Sequence, residues 1–257
     1  MQSQPTAYAD DLSQHFTRYF VMDRAADADA RERIYQLRYQ VFCHELGYAM
    51  PHAGGREFDA YDRSADHVLL SHRISGADAG CVRLIHPQLG EGGARLPFEN
   101  YAMQAFDHAE LDLRNLEPGK CCELSRLAVG ARFRRRMGEY ASAAGVAPLT
   151  QQDMDRNTLQ PRSMRHFPFI AFSLYQATIA MIIAMGYEHV FLGIEPRLQR
   201  HLGLFGIHLR QVSRVFDYYG ARALYYTDRT RLLEDIENWS PPVQSLYQSV
   251  ATVVGHR

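Results

Sequence analysis

The sequence predicts a mixed α/β fold, a mostly antiparallel central sheet with helices on both faces. Two observations carry that expectation. Short β-rich runs alternate with helical periodicity along the chain, and two pairs of runs meet at turn signals, Ser75-Gly76-Ala77-Asp78 and Gly220, as antiparallel hairpins require. Residues 167–185 are apolar on every face, which marks a helix buried at the centre of a protein.

Taken in order, Tyr19 to Met22 reads as a first strand. Ile34, Leu37, Val41, Phe42 and Leu46 share one helical face, and Gly47 stops that helix. His67 to Ile74 and Gly80 to Ile85 read as a hairpin, and a short helix is expected near Asn100 to His108. Cys122 to Val129 reads as a strand. Pro168 suits the first turn of the apolar helix and Gly186 its end. His189 to Ile194 is a strand, residues 196–204 a short helix, and residues 207–219 and 221–227 two further strands. Asp228 caps a last helix over residues 229–238, with a tail after Pro241-Pro242. No repeat appears. Residues 1–257 read as a single domain, with a basic loop insertion at about 130–166 and a helical tail at about 228–257.

Composition narrows the function classes. The formal net charge is -1, from 28 Lys+Arg against 29 Asp+Glu, so no global field favours nucleic acid or an anionic membrane. Cys43, Cys81, Cys121 and Cys122 have no CxxC spacing and read as reduced thiols, without a metal site. The first residues are polar and acidic where a signal peptide is basic and then apolar, so a cytoplasmic protein is expected. The apolar helix contains Ser173, Gln176 and Thr178 and has no second span beside it, so it reads as core and not as a transmembrane segment.

The chemistry lies in charges placed among apolar residues. Glu123 and Arg126 sit inside a strand, where each unpaired charge costs several kcal/mol (order of magnitude). A structural ion pair and a functional site explain them equally well on burial alone. Arg38 shares the apolar face of its helix, Arg83 interrupts a strand, and the loop Glu57-Phe58-Asp59-Ala60-Tyr61-Asp62 offers three carboxylates. A carboxylate–arginine network answers the needs of Arg38, Arg83 and Arg126 together. Glu123 and Arg126 are separated by an odd number of residues and would face opposite ways on a regular strand, so they serve separate tasks or a bulge realigns them.

These pieces resemble a family. Leu37-Arg38-Tyr39-Gln40-Val41-Phe42, Leu46-Gly47-Tyr48, Glu57-x-Asp59-x-Tyr61-Asp62, Arg83-Leu84 and Glu123-Leu124-Ser125-Arg126 look like the signature of autoinducer (acyl-homoserine lactone) synthases, over about residues 31–129. Tyr48 stands where those synthases have tryptophan. The insertion after Val129, the His-Phe-Pro-Phe lead-in to the apolar helix and the C-terminal tail look instead like N-acyl amino acid synthases, in particular the acyltransferases that accompany exosortase and PEP-CTERM protein-sorting systems. The resemblance implies the Gcn5-related N-acetyltransferase (GNAT) fold and transfer of a long acyl chain from acyl carrier protein to a small amine. It implies no permanently bound cofactor, an acyl-phosphopantetheine thioester (acyl carrier protein or CoA) as co-substrate, and acyl carrier protein as partner.

An α-ammonium titrates near pH 8, so a general base assists its attack on a thioester. Glu123 is the candidate base, and Arg126 is expected to orient it or the substrate carboxylate. Arg38, Asp59, Asp62 and Arg83 are expected to order the acceptor site, with Phe42 and Tyr48 as its walls. Arg132, Arg134, Arg135 and Arg136 are expected to grip the phosphopantetheine phosphate and an acidic carrier surface; a solvated charge run is the other reading. Two different functions also fit the residues: a lactone synthase using S-adenosylmethionine, and a non-catalytic module that binds an acyl chain or carrier protein.

Overall fold

The computed structural model describes residues 9–88, 95–134, 142–145 and 169–255. The elements are α1 (Ala9–Tyr19), β1 (Phe20–Arg24), α2 (Ala28–Arg38), the ribbon β2 (His52–Ala53) and β3 (Arg56–Glu57), β4 (Ala65–His72), β5 (Asp78–Ile85), α3 (Phe98–Tyr101), β6 (Cys121–Val129), α4 (Phe169–Met185), β7 (His189–Ile194), α5 (Pro196–Leu204), β8 (Arg210–Gln211), β9 (Phe216–Asp217), β10 (Ala221–Asp228), α6 (Arg229–Asn238) and α7 (Pro241–Val254). The main sheet runs β1-β4-β5-β6-β7-β10-β8, with β9 against β10. Every pair in it is antiparallel except β6 with β7. A parallel pair needs a crossover, and α4 supplies it.

Helices cover both faces, as the sequence predicts. On one side Val68, Leu70, Val82, Leu84 and Leu124 pack with Leu174, Ala177 and Met181 of α4. Ile170 through Ile182 are all buried. Of the polar residues inside this helix, Ser173 and Thr178 donate to carbonyls one turn back, and Gln176 donates to the Val243 carbonyl of α7 at 3.0 Å while its Oε1 is buried without a hydrogen-bond partner. On the other side Leu69, Cys81 and Ala128 pack with Ile34, Val41 and Phe42, and Ile85, Cys121, Phe191 and Leu224 pack around Phe98. All four cysteines are free thiols.

Three local expectations are corrected, and one helix was not anticipated. In α1, Leu12 and Phe16, four apart, bury one face, and Ser13 bonds Ser249 of α7 at 2.6 Å. The helix over Ile34 to Leu46 is α-helical only to Arg38 and continues as a π-helix, Tyr39–Glu45. Residues 207–219 do not form one long strand. The Ser213 hydroxyl takes the Leu224 N–H at 2.8 Å, and the backbone of 212–214 turns to bond Ala105 and Asp107, leaving only the short pieces β8 and β9 on β10. The helix expected near Asn100 to His108 is the short turn Phe98–Tyr101 followed by a 3-10 turn at Met103–Ala105, and Pro168 with most of the expected insertion lies outside the described residues. The last expected helix agrees: the Asp228 side chain accepts from the Arg231 amide and caps α6. Among the described residues no helix is long and apolar enough to cross a membrane.

Candidate active site

The feature that builds the site is an extra residue in β6. Gly80 and Cys81 pair with Val129 and Ala128, whereas Arg83, Leu84 and Ile85 pair with Ser125, Leu124 and Glu123. One additional β6 residue therefore stands opposite Val82, and Arg126 absorbs it in a left-handed conformation, φ +54°. For a residue with a Cβ that conformation costs about 1–2 kcal/mol. The bulge switches the phase of the strand. Before it, odd-numbered Glu123 and Ser125 face away from α4; after it, even-numbered Arg126 and Ala128 do. Glu123 and Arg126 thus share a face despite their odd spacing.

β6 and β7 also part company here. Their parallel pairing runs from Cys121–His189 to Leu124–Leu192 and no further. Beyond it Ser125, Arg126, Leu127, Gly193 and Ile194 line a cavity of about 490 Å³ together with Glu123, Asp59, Arg83, Tyr101, Phe42 and Tyr48.

Six of the predicted or adjoining charged residues form one network beneath this cavity. Arg38 donates to Glu57 at 2.5 Å and to both oxygens of Asp62 at 2.7 and 3.2 Å. Arg83 donates to both oxygens of Asp59 at 2.7 and 3.1 Å, to Asp62 at 2.8 Å and to the Ser125 hydroxyl at 3.0 Å. Arg126 donates to Glu57 and Asp59, each at 3.0 Å. Three guanidinium groups thus meet three carboxylates, and the local backbone fixes the acids: Asp59 accepts the Tyr61 amide and Asp62 the Asp59 amide, a reciprocal cap on the short helix Ala60–Ser64. Burial would raise both aspartates, but Arg83, with Arg126 at Asp59 and Arg38 at Asp62, outweighs it and holds both well below the usual carboxylate range. His67 lies in the same buried cluster, its Nε2 3.7 Å from Asp62. Burial pushes it down to about 4, against the pull of Asp62, so its ring is neutral at pH 7.

Glu123 is outside this network. It is 1% exposed, and it accepts the Phe98 amide on Oε2 at 2.8 Å and the Tyr101 hydroxyl on Oε1 at 2.9 Å. Burial pushes its carboxyl up to about 7, with those two donors and then Arg83 and Arg126 pulling the other way. The partners of Arg126 are Glu57 and Asp59, so the group that orients Glu123 is Tyr101, which the sequence reading did not single out. One signal for it was legible: Gly193, a glycine in a strand interior, often marks a close approach. Added at Gly193, a Cβ would overlap the Tyr101 hydroxyl and sit 2.9 Å from Cζ.

Phe42 and Tyr48 wall the cavity as expected, stacked at 6.3 Å between ring centroids. Tyr48 stacks in turn on Tyr219 at 5.7 Å. The basic run divides differently from the expectation. Arg132 is exposed, and Arg135 and Arg136 lie outside the described residues. Arg134 is buried, paired with Glu45 and donating to the Ser142 carbonyl at 3.3 Å. It is therefore internal and does not present its charge to a phosphate or a carrier surface, because the Glu45 carboxylate and the Ser142 carbonyl already hold it.

Residues 37–143 match the family model of an acetyltransferase (GNAT) domain. No curated protein sequence matches the chain. Among solved structures, FeeM, an N-acyl amino acid synthase from uncultured soil microbes, superposes with a TM-score of 0.55 at 15% identity, over 86% of this chain and 94% of that one. TofI, in a ternary complex with an inhibitor and MTA, gives 0.54 at 16% identity, over 87% and 98%. BjaI, a CoA-dependent acyl-homoserine lactone synthase with SAM and isopentyl-CoA, gives 0.54 at 16% identity, over 85% and 88%. At these identities the likeness is one of fold. It agrees with the mixed, mostly antiparallel sheet described above.

Proposed function

We propose that the protein is an N-acyltransferase that moves a long-chain acyl group from an acyl carrier protein thioester to the amine of an amino acid or a similar small amine. The observation that carries this reading is the Glu123 carboxyl. It is buried and excluded from the arginine network, its affinity for a proton is raised to about 7, and it faces the cavity opened by the β6–β7 splay. A general base works best when its pKa lies near the working pH. Attack by the neutral amine transfers a proton to Glu123 as the C–N bond forms and the thioester C–S bond breaks; the departing thiolate takes a proton from solvent, and Glu123 gives its proton back to solvent and is regenerated.

Arg38, Arg83, Asp59 and Asp62 hold the loop 57–64 against β5 and β6 and so shape the acceptor side of the cavity. Arg126 joins that framework. Phe42 and Tyr48 provide apolar contact for the acceptor. Binding of the carrier rests on Arg132, Arg135 and Arg136; Arg134 is assigned to the interior.

The assay pairs a long-chain acyl carrier thioester with pooled amino acids and follows products by mass spectrometry. An N-acyl amino acid is expected. A lactone formed only with S-adenosylmethionine would move the assignment to an acyl-homoserine lactone synthase, and no turnover with any thioester and amine would favour a binding module. In the active case Glu123→Gln is expected to lower kcat/KM by about 10²–10⁴-fold. Because the unprotonated carboxylate is the base, wild-type kcat/KM should rise with pH through about 7. A folded Glu123→Gln variant with wild-type turnover removes Glu123 from the role of base.

A further inference from the structure

The two donors to Glu123 come from different parts of the chain. The Phe98 amide belongs to the backbone at the start of α3. The Tyr101 hydroxyl arrives from the end of α3 by reaching across Gly193 of β7. Gly193 has no positive φ, so backbone conformation does not demand glycine at that position. The hydroxyl of Tyr101 does, since a Cβ there would occupy its place. The Tyr101 ring is also stacked on Tyr218, at 4.3 Å and 11°. A tyrosine thus lies against a glycine and against a second ring, with its hydroxyl on one carboxylate oxygen.

We propose that Tyr101 is the positioning residue for Glu123 and that Gly193 is glycine in order to admit it. This rests on the reading of Glu123 as the base. An ionised carboxylate offers about four lone-pair sites, so two fixed donors set its orientation and leave it able to accept a proton from the cavity. The groups facing Glu123 are Tyr101 from α3, Arg83 from β5, Arg126 from β6, Tyr61 from the 57–64 loop and Tyr218 from the β9–β10 hairpin. Of these, Tyr101 and the Phe98 amide make hydrogen bonds to it. A hydroxyl donated to the charged form favours ionisation, so its loss raises the pH at which Glu123 becomes a base.

Tyr101→Phe keeps the ring stacked on Tyr218 and removes only the donor. The midpoint of the kcat/KM-pH profile is expected to move up by about one pH unit, with roughly a fivefold loss at pH 7. Gly193→Ala should displace the hydroxyl and move the profile the same way. In the Tyr101→Phe background, Gly193→Ala should add less than about a threefold loss, because the two changes break one contact. An unmoved midpoint in Tyr101→Phe, or losses that simply multiply in the double variant, would overturn the proposal. The Glu123 carboxyl is titrated in parallel by NMR of carboxyl-labelled glutamate, assigned by its disappearance in Glu123→Gln. If that titration moves up in Tyr101→Phe while Glu123→Gln still turns over, the positioning stands and the base assignment fails. If Glu123→Gln is inactive and the titration stays where it was, the base stands and the positioning fails.

Discussion

Glu123 and Asp62 are buried to nearly the same degree, 1% and 4% exposed, yet they respond to burial in opposite directions. Asp62 is gripped by two arginines and is held far below the ordinary carboxylate range. Glu123 has two uncharged donors as its hydrogen-bond partners and is pushed up to about 7. Desolvation penalises both; a paired guanidinium decides the sign. One sheet face therefore carries two kinds of carboxylate, a framework that stays ionised and one group poised to exchange a proton. The signs for stability differ as well. Asp59 and Asp62 contribute stability that is present above the unfolded aspartate value and lost as pH falls toward their depressed folded values. Glu123 contributes below its unfolded value near 4.5 and loses that contribution as pH rises through about 7.

The sharpest way to break the contrast is to strip the framework of a shared cation. Arg83 serves Asp59, Asp62 and Ser125, and Arg83→Met leaves buried carboxylates uncompensated. A loss of about 3–5 kcal/mol is expected in chemical denaturation at pH 7; a loss below about 1 kcal/mol would mean that the network carries no stability. Next comes the lone carboxyl. Glu123→Gln should be more stable than wild type at pH 8, on the order of 1–3 kcal/mol, with the gain vanishing near pH 4. Urea melts at the two pH values measure it, and a gain independent of pH would show that Glu123 is not the titrating group. Asp59 is the most exposed member of the framework, its side chain 19% accessible, so Asp59→Asn should cost less than Arg83→Met, about 1–2 kcal/mol by the same melts. Arg114→Ala is the control. Its pair with Asp112 is bidentate like the buried ones, but the Arg114 side chain is 90% accessible, and no change in stability should be measurable. A change there would mean that geometry, and not burial, sets the worth of these pairs.

Much of this was readable before any coordinates. Arg38 on an apolar helix face, Arg83 inside a strand and three acids in one loop called for each other because isolated buried charges are costly, and they do meet. The succession of strands and helices along the chain and the buried helix followed from periodicity. The odd spacing of Glu123 and Arg126 raised the question of a bulge but could not answer it, because register depends on the partner strand, and Gly80 to Ile85 carries no mark of where the slip falls. Tyr101 was missed because a hydrogen bond from a residue 22 positions away leaves no local pattern; Gly193 was its trace. Arg134 read as part of a surface run because its neighbours are also arginines, and only the Glu45 contact shows that it points inward. The N-terminal helix hid in a polar sequence, since two apolar residues four apart suffice when another helix covers them.

The extra residue in β6 gives that strand two reading frames. Up to Leu124 the even numbers face α4; from Leu127 onward the odd numbers do, as Val129 shows by packing with Leu174 while Ala128 packs with Phe42. The strand therefore tolerates many single exchanges of like for like, but not a change in its length. Removing one residue between Ser125 and Ala128 would keep the composition and turn the segment on one side of the cut over, carrying side chains chosen for one face onto the other. The spacing Glu-x-x-Arg is thus held by counting as well as by chemistry: in this strand the number of residues is itself a functional quantity.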